Sequence, residues 1–423
     1  MKKILCLFDH FARTGYGVVS EQLVAYLTNH FGPTLGLHIV ATNYFGDPVE
    51  VILDDHNRTV YVESGKMSQD PERTPEHLVQ DDFGRMVFLE RLNQMDFDGI
   101  FIMQDLGIVT PMIPLLKGMK DAKKLANKKQ FKSIFYFPVD CELPGKEFEG
   151  LEFFDLLVTY TEYGRKQVLQ HNKNLRDSIV VIPHGVSGSD YHQIPLAENL
   201  TFRREYFNDP LDELFIIGSI NRNQPRKDIP ATIFGFMEAK KTWNNPKRPF
   251  LYLHMEPKDA KGWNLPYLLE QCGLVEGYDY MFPKSDDIHY QVDVETMNRI
   301  YNAIDVYIST SRGEGWGLTA TEAMAVGKLC ILPYHTSYME IGKTRCIFLE
   351  EMLPVCGIED NVIRDACFYI EVAEKIVESY DLINANAKGL EMMFRSHEYM
   401  QDLRWNRVCL EWIKVFKYHY KIR

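Results

Sequence analysis

The sequence predicts an α/β protein with two doubly wound domains. Three observations carry that prediction: a 423-residue chain with 45% hydrophobic content, short apolar runs alternating with longer amphipathic segments, and a single interruption after which the alternation starts again. A single core stops growing beyond roughly 250–300 residues, so this chain has material for two.

In the first half, the runs Ile4 to Phe8, Leu37 to Ala41, Gly99 to Met103, Ser133 to Phe137, Leu156 to Thr159 and Ile179 to Ile182 read as strands. Runs that are apolar throughout, rather than alternating, suit a parallel sheet covered on both faces. Helices are expected between them, including Val18 to Thr28 and Arg165 to His171. After Ile182 the chain turns at Pro183-His-Gly185 and enters a polar stretch with little periodicity, read as a linker over 191–212. Strands resume at Leu214 to Ile220, Pro249 to Leu253, Asp305 to Ser309 and Leu329 to Leu332, with helices at Val294 to Ala303 and Thr319 to Val326. From about His397 to Tyr418, apolar residues including Met400, Trp405, Trp412 and Phe416 recur at helical spacing, which predicts one long closing helix. The expected boundaries are therefore 1–190, 191–212, 213–396 and 397–423.

The formal charge is −12, from 47 basic and 59 acidic residues, and no long Lys/Arg run occurs, so a nucleic-acid footprint is absent. A phosphate-bearing ligand needs a local cationic pocket within this acidic field. Eight cysteines are scattered without a C-x-x-C pair, which points to buried thiols in a reducing compartment rather than to disulfides or zinc. At the amino terminus, MKKILCLFDH reaches Asp9 and His10 too soon for a signal sequence or a membrane span. It reads as the first buried strand of a cytoplasmic protein.

The segment from Asp305 to Gly327 reads as strand, glycine-punctuated loop and helix. Gly313, Gly315 and Gly317 allow close backbone approach, and Thr319 and Thr321 lie where a helix presents unpaired N–H groups, a ready site for an anion. Two acids frame it: Glu314 in the loop and Glu322 one turn into the helix. Carboxylates accept hydrogen bonds from sugar hydroxyls, so a ligand carrying phosphates between two sugars could use both acids and the amides together. A tight strand-to-helix turn with a favourable first-turn acid accounts for the same residues. Upstream, the strand from Phe215 leads to Arg222, Arg226 and Lys227, cations expected at the carboxyl end of the sheet and suited to a diphosphate leaving group.

Arg222 with Lys227, Glu314 with Glu322, and Ala323-Met-Ala-Val-Gly327 resemble the retaining glycosyltransferases of family four. The resemblance extends to Ile182-Pro-His-Gly-Val186, Tyr301-Asn-Ala-Ile-Asp305 and the closing helix with Trp405. It implies the GT-B fold, two Rossmann-like domains facing each other across a cleft, with the acceptor on the N-terminal domain, the nucleotide sugar on the C-terminal one, and the last helix crossing back to the N-terminal domain. It further implies that Arg222 and Lys227 hold the donor diphosphate with the amides of Leu318 and Thr319, that Glu322 takes the ribose, and that Glu314 with Gly315, Trp316 and Gly317 holds the sugar. By the same resemblance the nucleobase lies near Phe282-Pro-Lys284, and the loop Arg13 to Gly17, with Gly15 and Gly17, meets the diphosphate from the other side. The expected catalytic set is Glu314, Lys227, Arg222 and Asp140. Many relatives carry a His near Asp140, and here it is missing, so Asp140 serves equally well as a turn cap. His184 suits a structural hydrogen bond as well as a substrate contact.

Three motifs are set aside. Gly15-Tyr-Gly17 lies too far from the first strand for a dinucleotide fingerprint, Asp96-Phe-Asp98 reads as a strand-leading turn rather than a metal motif, and Gly342-Lys-Thr344 lacks the glycine of a phosphate loop. No cofactor and no obligatory metal are expected. The implied partners are a nucleoside diphosphate sugar and a hydroxyl-bearing glycan or glycoconjugate, with no nucleic acid and no transmembrane segment. Two competing readings are a sugar-nucleotide epimerase of the same fold and a silent sugar-nucleotide-binding partner subunit.

Overall fold

The computed structural model describes residues 1–12, 14–44, 48–52, 59–65, 83–284, 292–357 and 361–422. The chain divides into two compact units: Met1–Val139 with Leu143–Gly185 and Trp405–Arg423, and Asp140–Glu142 with Val186–Arg404.

In the first unit, among the described residues, the strands are β1 (Lys2–Phe8), β2 (Leu35–Ala41), β3 (Val49–Ile52), β4 (Thr59–Ser64), β5 (Gly99–Met103), β6 (Lys132–Phe137), β7 (Leu156–Thr159) and β8 (Ile179–Val181). They form one sheet in the order β3-β4-β2-β1-β5-β6-β7-β8, parallel except for the edge pair β3 and β4. Central strands are buried from end to end, as in β5, which is why they read as unbroken apolar runs. Helix Gly15–Phe31 begins where the Thr14 side chain accepts from the Gly17 N–H at 3.0 Å. A Cβ at Gly17 would lie 1.9 Å from the Ala12 carbonyl oxygen, so only glycine fits that turn. Arg13 of the expected loop lies outside the described residues.

The tail corrects one expectation. Instead of a single helix from His397, Ala387–Asp402 and Trp405–Tyr420 are separate helices. The Leu403 carbonyl between them accepts from the Val186 N–H at 2.8 Å rather than continuing the helical ladder. Residues up to Arg404 belong to the second unit and Trp405–Arg423 to the first. Trp412 is fully buried there, with ring centroids 5.3 Å from Phe101 and 4.7 Å from Tyr136.

The second unit carries β9 (Leu214–Ile220), β10 (Arg248–His254), β11 (Tyr280–Met281), β12 (Val306–Ile308), β13 (Leu329–Pro333) and β14 (Ile347–Leu349) in the all-parallel order β11-β10-β9-β12-β13-β14. An antiparallel hairpin, β15 (Met352–Cys356) with β16 (Ile363–Cys367), follows. The stretch 191–212 is not the irregular linker expected. It holds helix Leu196–Tyr206 and belongs to the second unit. Its Arg203 is buried, with contacts to Asp209 at 3.0 Å, Asp305 at 3.1 Å and the Leu214 carbonyl at 2.7 Å. A sequence reading sees a polar residue there and places it in solvent, whereas these partners make its burial tolerable.

Among the described residues no helix is long and apolar enough to cross a membrane, and of the eight free cysteines only Cys356 is exposed. Trp412→Ala should cost about 3–5 kcal/mol, the range for emptying a large aromatic site in a packed core. Denaturant titration should show a lower midpoint for the first unit; an unchanged midpoint would mean that Trp412 does not organise that core.

Candidate active site

Strand order in the second unit determines where a ligand can lie. From β9 the chain runs outward to β10 and β11, then returns to β12 on the other side of β9, so the loops after β9 and β12 leave the sheet side by side and diverge. In open parallel sheets such a reversal opens a crevice at the carboxyl ends.

The two loops are stitched together. The Arg312 N–H donates to the Arg226 carbonyl at 2.8 Å, and the Arg312 guanidinium grips both Asp228 carboxylate oxygens at 2.9 and 3.0 Å. That grip holds Asp228 at φ +47°, in the left-handed region, where it starts helix Ile229–Thr242. Thr310 Oγ1 adds bonds to Thr232 Oγ1 at 2.8 Å and to the Asp228 carbonyl at 2.9 Å.

Glu314 stands where the loops meet. Lys227 Nζ bonds its Oε1, and Arg226 Nη1 lies 3.3 Å from its Oε2. The Arg226 guanidinium also donates to the Gly313 carbonyl and places Nε 3.5 Å from Asp140 Oδ2. Burial alone would push the Glu314 carboxyl up, but the charges of Lys227 and Arg226 outweigh it and hold it down to about 2. Lys227 is shifted down by its own burial, and the Glu314 charge opposes that shift.

The glycines are explained first by the protein's own packing. A Cβ at Gly313 would meet the Asp140 carbonyl oxygen at 2.0 Å, and one at Gly317, which has φ +98°, would meet the Tyr338 ring at 2.5 Å. Gly315 and Trp316 are buried in the same loop, the Trp316 carbonyl accepting from Ser337 Oγ at 2.8 Å. Helix Leu318–Ala325 then opens with no side-chain cap, which leaves the first-turn amides of Leu318 and Thr319 without an intrahelical acceptor.

Glu322, four residues into that helix, has a different environment. Its Oε2 accepts from the Tyr301 hydroxyl at 2.6 Å, and Tyr191 packs edge-on to Tyr301 with centroids 5.7 Å apart. Among the described residues no cation pairs with it, and burial pushes its carboxyl up to about 7 despite hydrogen bonds from Tyr301 and Tyr191. Nearby strands also end in buried polar groups. Asn221, directly after β9, is buried with neither amide atom partnered among the described residues, and His335, two residues after β13, is buried. Buried polar atoms without partners are uncommon and point to a site built for something polar.

Other predicted residues lie further out. Arg222 shares the loop of Lys227 but pairs with Asp259 at 3.0 Å and is 63% exposed, so Arg226, not Arg222, joins Lys227 at Glu314. Asn223 ties this loop to the Glu256 carbonyl at 3.1 Å, and Glu256 lines a cavity of about 710 Å³ together with Phe282, Pro283 and Lys284. Lys284 Nζ there donates to the Glu205 carbonyl at 3.4 Å. In the first unit, Gly15 and Gly17 open their helix, and Tyr16 between them donates to Asp105 at 2.6 Å, joining the start of this helix to the N-cap of helix Leu106–Val109. His184 is buried, shares a 2.7 Å hydrogen bond with the Tyr136 hydroxyl, and is lowered to about 3 by burial. Asp98 pairs with Lys2 at 2.9 Å, and Asp96 with Lys123 at 3.1 Å. Among the described residues no cluster of three or more His, Cys, Asp or Glu has the arrangement of a metal site.

Sequence reasoning placed Arg226 among the cations of this loop, but the family spacing, which pairs Arg222 with Lys227, left it out of the expected site set. It also missed Tyr191 and Tyr301. Tyr301 stands in a segment that had been singled out, but nothing in the sequence ties it to Glu322, 21 positions away.

Because folding favours the protonated form of Glu322, its stabilising effect is complete below the ordinary value of 4.5 and is lost as pH rises through about 7. Glu322→Gln should therefore gain on the wild type between about pH 5 and pH 8, by on the order of 2 kcal/mol. Melting temperatures of the two proteins across that window test this, and a constant difference would refute it.

Residues 283–344, which contain the β12 loop and both glutamates, match the family model described as Glycosyl transferases group 1. No curated protein matches the chain. Among solved structures it is similar to the Anabaena protein HepE in complex with UDP and glucose, at 13% identity and a TM-score of 0.64 over 99% of this chain and 100% of that one. It is also similar to sucrose-phosphate synthase from Thermosynechococcus elongatus, at 14% identity and a TM-score of 0.67 over 99% and 98% of the two chains. A third similar structure is the E. coli trehalose-6-phosphate protein bound with UDP-2-fluoro glucose, at 14% identity and a TM-score of 0.64 over 99% of each chain. The chain has the GT-B fold of these glycosyltransferases and, over residues 283–344, the sequence pattern of glycosyl transferases group 1.

Proposed function

We propose that the protein transfers a hexosyl group from a nucleoside diphosphate sugar to a hydroxyl of a glycan or glycoconjugate, with the anomeric configuration retained. The observation that carries this reading is the cluster of Lys227, Arg226 and Glu314 at the strand-order reversal, beside the uncapped helix that holds Glu322.

As the bond between the anomeric carbon and the diphosphate breaks, negative charge builds on the leaving oxygen. Lys227 Nζ and the amides of Leu318 and Thr319 meet that charge with dipoles already in place, which is where electrostatic catalysis is most effective. Glu314, ionised, accepts hydrogen bonds from the sugar hydroxyls, and Glu322 accepts from the ribose with Tyr301 fixing its orientation. Nucleobase binding falls to the cavity lined by Phe282, Pro283 and Lys284, which the Asn223 contacts join to the cationic loop. The acceptor attacks from the face the diphosphate leaves, with no protein nucleophile, so positioning and charge do the catalysis. In this reading side chains and amides carry the diphosphate and no obligatory metal is required. UDP is the favoured base because the similar structures were solved with UDP and with a UDP-sugar.

An epimerase needs a positioned acid and base, and of its two candidates His184 is buried against Tyr136. A silent sugar-nucleotide-binding subunit would hold the donor with the same residues, and hydrolysis of the donor by the protein would exclude it.

Lys227→Ala should lower kcat at least about a hundredfold, the scale for losing one preorganised contact to a developing anion. Normal turnover in that variant would overturn the assignment. Among UDP-, GDP- and ADP-sugars, the donor should be the one that raises the melting temperature, since a ligand bound only by the folded state stabilises it.

A further inference from the structure

Arg226 is not one of the paired cations of the family pattern, yet it has more contacts to the Glu314 loop than Lys227 has. Its guanidinium reaches the Gly313 carbonyl, Glu314 Oε2 at 3.3 Å and Asp140 Oδ2 at 3.5 Å. Its backbone carbonyl accepts from the Arg312 N–H at 2.8 Å and from Ser311 Oγ at 3.4 Å. Both ends of the residue are therefore fastened to the segment 311–314. Among the described residues Lys227 has one hydrogen-bonded anchor for its charge, Glu314 Oε1, and a flexible stem that can carry Nζ elsewhere.

Resting on the donor reading above, we propose that Arg226 is a positioning residue, the permanent counter-ion of Glu314, which frees Lys227 to leave that carboxylate for the donor diphosphate. The Glu314 carboxylate, only 8% exposed, has two cations against it, Arg226 and Lys227. When a diphosphate draws Lys227 away, Arg226 stays, so Glu314 is never a buried carboxylate without a partner. Without Arg226, diphosphate and Glu314 would compete for a single ammonium. Neutralisation of the diphosphate and retention of Glu314 in the sugar subsite are thus assigned to different, adjacent cations.

The test is a double-mutant cycle read by equilibrium binding of UDP, without sugar, in wild type, Arg226→Met, Glu314→Gln and the double variant. Arg226→Met should weaken UDP about tenfold or more in the wild-type background, yet leave it within about twofold in the Glu314→Gln background, where no carboxylate competes for Lys227. Arg226→Lys keeps the charge and should recover most of the loss, and melting curves identify any variant that fails to fold. Equal weakening in both backgrounds would mean that Arg226 acts on the ligand directly or through its general field, and would overturn the proposal. So would unchanged UDP binding by Arg226→Met. If the wild type binds none of UDP, GDP and ADP, the donor reading itself fails and this inference falls with it, an outcome distinct from equal losses in both backgrounds.

Discussion

A carboxylate kept ionised in a dry place is the constraint on which the second unit turns. Glu314 is buried, and burial alone would neutralise it; two cations from the neighbouring loop prevent this. To deliver them, the loop after β9 must lie against the loop after β12, and the rest of the local structure secures that contact. Asp228 adopts a left-handed conformation so that Arg312 can hold it. Glycines stand at 313 and 317 where a Cβ would strike the Asp140 carbonyl or the Tyr338 ring. The Glu314 N–H is taken by Thr336 Oγ1 at 3.2 Å, which brings in the loop after β13 as well.

The same strand pair is locked at its opposite end. Arg203 joins the Leu214 carbonyl at the start of β9 to Asp305 just before β12, and Asp305 Oδ2 also accepts from the Ile216 N–H at 2.6 Å. One buried ionic hub therefore fixes the amino ends of β9 and β12, and a second, around Glu314, fixes the loops at their carboxyl ends. Between the hubs the strands are apolar and fully buried, as in the run Leu214–Ile220. Such a rod, clamped at both ends, limits how far the loops can drift, and site geometry has to hold to within a fraction of an ångström to be effective.

Much of this could be read from the sequence, and the gaps have physical causes. Buried parallel strands announce themselves, so β1, β5, β9 and β13 fell close to where their apolar runs placed them. The hairpin β15 and β16 and the edge strand β3 were missed, because half-exposed strands with mixed composition have no such signature. Helix Leu196–Tyr206 was missed because its buried anchor is an arginine, and a charged residue betrays its burial only once its partners are known. At the site the motif residues were legible, but the pairing was not. Arg226, Asp140 and Glu314 are separated by up to 174 positions along the chain, and composition cannot show that they converge.

Glu314 and Glu322 are eight positions apart and chemically identical, yet their surroundings drive them in opposite directions, one held down to about 2 and the other pushed up to about 7. The difference follows from their partners: cations for Glu314, tyrosine hydroxyls for Glu322. Divergent pairs of this kind mark a division of labour. The charge on Glu314 opposes the loss of the Lys227 proton that burial favours. A carboxylate accepts on both oxygens, and its protonated form can also donate, so an acid poised near neutrality can take either hydrogen-bonding pattern. Tyr301 and Tyr191 both supply hydroxyl donors to Glu322, which fixes the orientation of a carboxyl that has no positive charge beside it among the described residues.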